Sequence, residues 1–273
     1  MSALFTLVNG KQASSLNLSD RAIHYGDGVF RTLAIHHGQV QLLKEHLDKL
    51  LADCRQLYIK PPSREILIQE IALSCSEISS DRAVLKVIVT RGVGKRGYQY
   101  EPEAEPTRIL MVYPWHSYPD SYYQQGVRVR VCQTRLASNP LLAGAKHLNR
   151  LEQVLARGEW QDKSIAEGLM LDQQEHVISG TFSNLFLLKG QTLQTPDLSQ
   201  CGIAGVMRQI ILANAEKRQV VCQIRPITLS EVYAADAVFL TNSLIGVWPV
   251  QEIVGRTYSQ APMSFLANFF KPD

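Results

Sequence analysis

Apolar and polar positions divide the chain into short alternating runs and longer runs with helical spacing. The stretch "ALFTLV" (3–8) leads into Asn9-Gly10 and reads as a strand entering a hairpin turn. "VFRTLAI" (29–35) reads as a second strand, and "HHGQVQLL" (36–43) as a turn with a return strand. Leu43, Leu47, Leu50, Leu51, Cys54 and Leu57 then mark one face of a long amphipathic helix. A second helix is expected over 64–78, with Leu67, Ile71, Cys75 and Ile78 on one side. "AVLKVIVTRG" (83–92) and "TRILMVY" (107–113) read as strands, the first almost continuously apolar and therefore buried.

The aromatic and proline-rich segment 113–126 holds no sustained period and is the candidate linker. Beyond it "GVRVRVCQT" (126–134) alternates, placing Val127, Val129 and Val131 on one face. Strands follow near 167–171 and 184–188, a helix over 206–218 and a strand near 220–225. A short helix and a strand ending at "VFLTN" (238–242) complete the pattern. Strands and helices alternate in two halves. The expected fold is α/β (or α+β), with an N-terminal domain over 1–115, a linker over 116–126 and a C-terminal domain over 127–273.

Composition narrows the class. The chain has 273 residues, 45% of them apolar and 19% charged, with a net charge of +3. No block of like charges appears, so charge gives no sign of nucleic-acid binding. Five cysteines are widely spaced with no CxxC pair, which points to a reducing, cytoplasmic compartment and away from disulfides or structural zinc. "MSALFTLVNGKQ" does not read as a signal peptide, and no run is long enough to span a membrane.

Several stretches could carry chemistry. In "AGAKHLNRLEQ" (143–153) one lysine, Lys146, stands among small residues ahead of a helix. Asn149 and Glu152 have capping-box spacing there, and Leu148, Leu151 and Leu155 recur at helical intervals. The positive end of a helix is unfavourable for an ammonium, which suits an amine that must be nucleophilic; an ordinary surface lysine is the alternative. "GIAGVMRQIILANA" (202–215) is either a plain glycine turn or a helix start whose N–H groups at Val206 and Met207 hold a phosphate. "FLTNSL" (239–244) is either a turn or a source of further donors at Asn242 and Ser243. "TRGVGKRGY" (90–98) gathers Arg91, Lys95 and Arg96 in a glycine-laced loop that suits a carboxylate or phosphate, or is merely solvated. Gly26-Asp27-Gly28 reads as a tight turn, since Asp27 has no metal-ligand partners at useful spacing. Serine-hydrolase, metallohydrolase and P-loop patterns are missing.

Taken in order, "DRAIHYGDGVFRT", "TRGVGKRGY", "LLAGAKHLNRLEQVL", "FSNLF", "GIAGVMR" and "FLTNSLIGVWPV" resemble the fold-type IV pyridoxal-phosphate enzymes. That group contains branched-chain and D-amino-acid aminotransferases and related lyases, and "KHLNRLEQ" is closer to the lyases. The resemblance implies two α/β domains, pyridoxal 5′-phosphate in the cleft between them, and a homodimer. It implies that Lys146 carries the cofactor and transfers protons, with Val206, Met207, Asn242 and Ser243 cradling phosphate. Arg96 and Tyr98 fall where relatives hold substrate carboxylate.

Two positions depart from the pattern. Lys49, in "EHLDKL", stands where an arginine usually contacts the phosphate, and Ser179, in "VISGTFSNLF", where a glutamate usually meets the pyridine nitrogen. The implied reaction converts 4-amino-4-deoxychorismate to 4-aminobenzoate and pyruvate for folate biosynthesis. The alternatives are a transaminase of D- or branched-chain amino acids and a non-catalytic member that binds cofactor or metabolite. The implied partners are a small-molecule substrate and a second copy of the chain.

Overall fold

A computed structural model describes residues 2–259 and divides the chain into two units. The first takes in the chain up to Ser117 together with Ala145–Asn149; the second takes in Tyr118–Gly144 and the chain from Arg150 onward.

The first unit is one antiparallel sheet backed by two helices. Its elements are β1 (Phe5–Val8), β2 (Lys11–Gln12), α1 (Arg21–Tyr25), β3 (Gly28–His36), β4 (Gln39–Val40), α2 (Leu43–Gln56), α3 (Arg64–Ser76), β5 (Arg82–Thr90) and β6 (Thr107–Pro114). The strand order is β2-β1-β6-β5-β3-β4. Asn9 and Gly10 both take positive φ, 49° and 77°, as a two-residue hairpin turn of the twist-matching kind requires. Alternate residues of β3 and β5, among them Val29, Leu33, Leu85 and Val87, join Leu47, Leu50, Cys54, Leu67 and Ile71 in one core. The helical and strand periods read from the sequence therefore meet on a single buried face. Ser63 caps α3 by accepting from Ile66 N–H at 3.2 Å. Helix α1, for which no element was expected, ends just before the Gly26-Asp27-Gly28 stretch. It is capped by Asp20, which accepts from Ala22 N–H at 2.9 Å and from the Thr90 hydroxyl at 3.0 Å.

The second unit contains α4 (Ser121–Gln124), β7 (Val127–Leu136), α5 (Leu151–Gly158), β8 (Ile165–Asp172), β9 (Val177–Gly180), β10 (Asn184–Lys189) and β11 (Thr192–Pro196). It continues with α6 (Val206–Lys217), β12 (Cys222–Arg225), α7 (Leu229–Ala234), β13 (Ala237–Asn242), β14 (Gly246–Ile253) and β15 (Arg256–Thr257). Its sheet is mixed, in the order β12-β11-β10-β13-β14-β7-β8-β9, with β15 beside β14. The β7–β8, β7–β14 and β11–β12 pairs are parallel. Within the segment expected as a linker, Tyr118 and Tyr122 set their rings edge-on against Trp248 at 4.7 and 5.2 Å.

Candidate active site

Lys146 is held by backbone rather than by a helix. Residues 145–149 run antiparallel to the start of β3: Phe30 N–H donates to Lys146 C=O and Leu148 N–H to Gly28 C=O, both at 2.9 Å. Gly28 is required by this approach, since a Cβ there would lie 2.7 Å from the Leu148 side chain and 2.8 Å from Val89 C=O. The Lys146 ammonium stands 4.4 Å from the centroid of the Phe30 ring.

The capping box expected from Asn149 and Glu152 does not form. Asn149 donates its amide to Gly26 C=O at 3.1 Å, and Glu152 accepts from Ala137 N–H at 2.8 Å. Helix α5 begins only at Leu151, with Arg150 as a cap residue that makes no side-chain cap bond. Helix-dipole effects fade within a turn, so the helix start does not account for the setting of Lys146. Side chains from α2 and β3 do.

Those side chains form a charged cluster around Asp53, which has no exposed surface. Arg31 from β3 bonds Asp53 Oδ2, and Lys49, one turn earlier on α2, bonds Oδ1. The same carboxylate accepts the backbone N–H of Lys146 at 3.1 Å. Burial lowers the pKa of both Arg31 and Lys49, and the Asp53 charge opposes it in each. His46, also buried, is pushed down to about 3, first by burial and then by the charges of Arg31 and Lys146. It is a neutral imidazole at ordinary pH. Lys49 was legible as a departure from a pattern; Arg31, Asp53 and His46 were missed. Their only signal is three ionisable residues on otherwise apolar faces of a strand and a helix.

Arg96 and Tyr98 lie in the loop after β5, both exposed. A buried relay fixes that loop. Arg21 donates to the carbonyls of Gly97, Tyr98 and Gln99 at 3.0–3.3 Å and to Asp27 at 2.8 Å. Arg91 takes both oxygens of Asp27 at 2.7 and 3.0 Å and donates to the carbonyls of Leu57 and Tyr58. Arg91 is thus structural, whereas Arg96 and Tyr98 face outward.

In the second unit a different set of groups converges. Ser179, on β9, donates its hydroxyl to Gly180 C=O at 2.8 Å. The turn that follows is pinned by Glu167, fully buried, which accepts from Thr181 N–H and hydroxyl, Phe182 N–H and the Ser183 hydroxyl. Asn184 then reaches the start of α6: its amide donates to Ile203 C=O at 2.8 Å and its oxygen accepts from Gly205 N–H at 3.1 Å. Val206 and Met207 form the first turn of α6, which has no side-chain cap. Asn242, at the end of β13, accepts from Leu244 and Ile245 N–H and donates to Phe182 C=O, so its side chain shapes the turn that carries Ser243.

Each unit by itself offers groups that suit a phosphorylated aldehyde cofactor. The twelve-residue α6 leaves its first-turn N–H groups without a side-chain acceptor. A Cβ at Gly205 would lie 2.3 Å from Asn184 Oδ1, so the backbone there is bare of side chain. Lysine, the residue type that condenses with aldehydes, stands at 146 beside further cations. Among the described residues no cluster of His, Cys, Asp and Glu could hold a metal ion, and no helix is long and apolar enough to cross a membrane.

Comparison with known proteins adds an independent line. The model of the amino-transferase class IV family matches residues 28–253. The aminodeoxychorismate lyase of Vibrio harveyi is 35% identical over 246 residues, covering 90% of each chain. A putative branched-chain-amino-acid aminotransferase of Methanocaldococcus jannaschii is 31% identical, over 97% of this chain and 93% of its own. The crystal structure of 4-amino-4-deoxychorismate lyase from Pseudomonas aeruginosa superposes with a TM-score of 0.91 at 47% identity, covering 96% of this chain and 97% of that one.

Proposed function

We propose, since the chain belongs to the amino-transferase class IV family, that it is a pyridoxal-phosphate-dependent lyase converting 4-amino-4-deoxychorismate to 4-aminobenzoate and pyruvate. The observation that carries the reading is Lys146, pinned between β3 and Asp53 within a chain 47% identical to a solved lyase of that specificity. When bound, the cofactor supplies an electron sink for negative charge at the amine-bearing carbon of the substrate.

Each residue then has one task. The Lys146 amine would hold the cofactor and would take the proton from the amine-bearing carbon of the substrate. The bond between the ring and the enolpyruvyl oxygen breaks, and the departing enolate gains a proton to become pyruvate. Atoms balance without water or an oxidant, and formation of the aromatic ring drives the step. Lys49 and the N–H groups of Val206 and Met207, with Asn242 and Ser243, hold the phosphate. Ser179 offers a hydroxyl to the pyridine nitrogen once it turns from Gly180 C=O. Arg96 and Tyr98 receive the substrate carboxylate.

Transamination of D- or branched-chain amino acids is the second reading, favoured by the 31% identity to the archaeal aminotransferase. A homodimer is proposed from α5, whose Leu151, Val154 and Leu155 share one face at 64–75% exposure. A cytoplasmic setting is proposed from five free thiols at wide spacing.

One experiment tests the assignment. Purified protein is incubated with 4-amino-4-deoxychorismate, and separately with borohydride after loading with pyridoxal phosphate. Formation of 4-aminobenzoate and pyruvate, with reduction fixing the cofactor on the peptide containing Lys146, is the expected result. Transamination with no 4-aminobenzoate, or fixation on another lysine, overturns it.

A further inference from the structure

Three arginines of the first unit are buried to nearly the same degree: Arg31 at 2%, Arg21 at 5% and Arg91 at 6% exposure. Arg21 and Arg91 each make four hydrogen bonds to carboxylate and carbonyl oxygens. Arg31 makes one, from Nη2 to Asp53, and its Nε is buried with no partner. A guanidinium has five N–H donors, and leaving them unmade in the interior is costly.

Its single carboxylate is also shared. Asp53 gives one oxygen to Arg31 and the other to Lys49, and Oδ2 accepts the Lys146 N–H as well. The neighbour on the same helix does not complete the shell either. His46 is buried with both ring nitrogens unpartnered, so neither accepts an N–H of Arg31. The charges of Arg31 and Lys146 both act on His46, so guanidinium and ammonium belong to one neighbourhood. Arg31 is thus a buried cation, short of acceptors, one carboxylate away from Lys49 and from the backbone of Lys146.

We propose that Arg31 is a phosphate-binding residue: its unfilled fork, oriented by Asp53, takes an oxyanion of the cofactor phosphate alongside Lys49. The assignment rests on the reading above, in which Lys49 and Lys146 serve pyridoxal phosphate. A planar guanidinium gives two parallel donors, which an ammonium does not, so Arg31 supplies the directional part of the subsite and Lys49 a point charge. Asp53 holds both cations in place and also fixes the strand that bears Lys146.

Inorganic phosphate, pyridoxal 5′-phosphate and unphosphorylated pyridoxal are titrated separately into the full chain stripped of cofactor. Melting temperature reads the first and absorbance the other two. In Arg31→Lys, affinity for pyridoxal phosphate falls ten- to a hundredfold, affinity for pyridoxal changes less than twofold, and stabilisation by inorganic phosphate disappears. Adding Lys49→Arg to that variant restores the affinity. If Arg31→Lys does not fold, the paired variant Arg31→Leu/Asp53→Leu, which removes both charges, carries the same three expectations. Unchanged affinity for pyridoxal phosphate overturns the proposal, as does an equal loss for pyridoxal. Stabilisation by phosphate through Arg31 without any binding of pyridoxal phosphate supports the anion subsite while removing the cofactor reading. No response to either ligand removes both.

Discussion

Asp53 and Glu167 are both carboxylates with no exposed surface, one in each unit, and they are made tolerable in opposite ways. Asp53 is surrounded by cations, Arg31 and Lys49, with one backbone N–H. Glu167 meets no cation in its hydrogen bonds. It accepts three backbone N–H groups, from Gly168, Thr181 and Phe182, and two hydroxyls, from Thr181 and Ser183. Burial pushes the Glu167 carboxyl up and these donors pull it back. A carboxylate satisfied by dipoles is a structural fastener, here for the turn leading to Asn184. One shared between cations leaves Arg31 with a buried N–H, at Nε, that no group accepts.

The largest expected effect separates the two carboxylates by their loss. Asp53→Asn strips the counter-charge from buried Arg31 and half-buried Lys49, and breaking a buried ion pair at one end costs about 3–5 kcal/mol. Glu167→Gln removes acceptors from hydroxyls and N–H groups and costs less, about 1–3 kcal/mol. Urea unfolding of both variants checks the ranking. An equal loss would mean that Arg31 and Lys49 find other counter-charges.

Acid sharpens the same contrast through His46. Its folded value of about 3 lies below its ordinary 6.5, so the unfolded chain binds the extra proton between those values. Stability therefore falls as pH drops below about 6.5, by about 2 kcal/mol at pH 5 at 1.4 kcal/mol per pH unit. His46→Leu removes a ring whose nitrogens have no partners, and flattens the decline in that window. A variant as acid-sensitive as the parent would place the titration elsewhere.

The dipole-built side is tested at Asn184. Asn184→Ala frees Ile203 C=O and Gly205 N–H, loosening the start of α6. The expected cost is about 1–3 kcal/mol in stability, with weaker retention of pyridoxal phosphate than of pyridoxal. Equal retention of the two ligands would detach α6 from the phosphate.

What could be read without coordinates follows the same division. Period gave α2, α3 and α6, whose faces are long enough to show their repeat, and the Asn9-Gly10 turn gave the β1–β2 hairpin. Helix α1 is five residues long and has no such repeat. Asn149 and Glu152 have capping-box spacing, yet both side chains go to distant backbone groups that no local rule foresees. Lys146 stood out through its small neighbours. The Arg31–Asp53 pair spans 22 positions, and neither residue looks unusual in its own element until the strand and helix meet.

Ser179 carries the smallest expected effect and the sharpest chemical consequence. Its hydroxyl now serves Gly180 C=O, so using it for a ligand exchanges one neutral hydrogen bond for another. Ser179→Ala should change cofactor retention by less than about tenfold, the range of a neutral bond worth about 0.5–1.5 kcal/mol. Ser179→Glu acts differently. On the proposed placement of residue 179 beside the pyridine nitrogen, a carboxylate would keep that nitrogen protonated and deepen the electron sink, whereas a neutral hydroxyl would donate to the unprotonated nitrogen. Transamination requires delocalised charge to persist until a proton reaches the cofactor's own carbon. Elimination relieves that charge by expelling the enolpyruvyl group, with aromatisation to help. Ser179→Glu should therefore raise transamination of amino acids measurably while lyase turnover stays within about tenfold of the parent, a barrier change below about 1.4 kcal/mol. Both are read in one assay series, 4-aminobenzoate by fluorescence and keto-acid formation by coupled reduction. Loss of lyase turnover with no gain in transamination would show that the serine is needed for packing beside Glu167 and not for the balance between the two reactions.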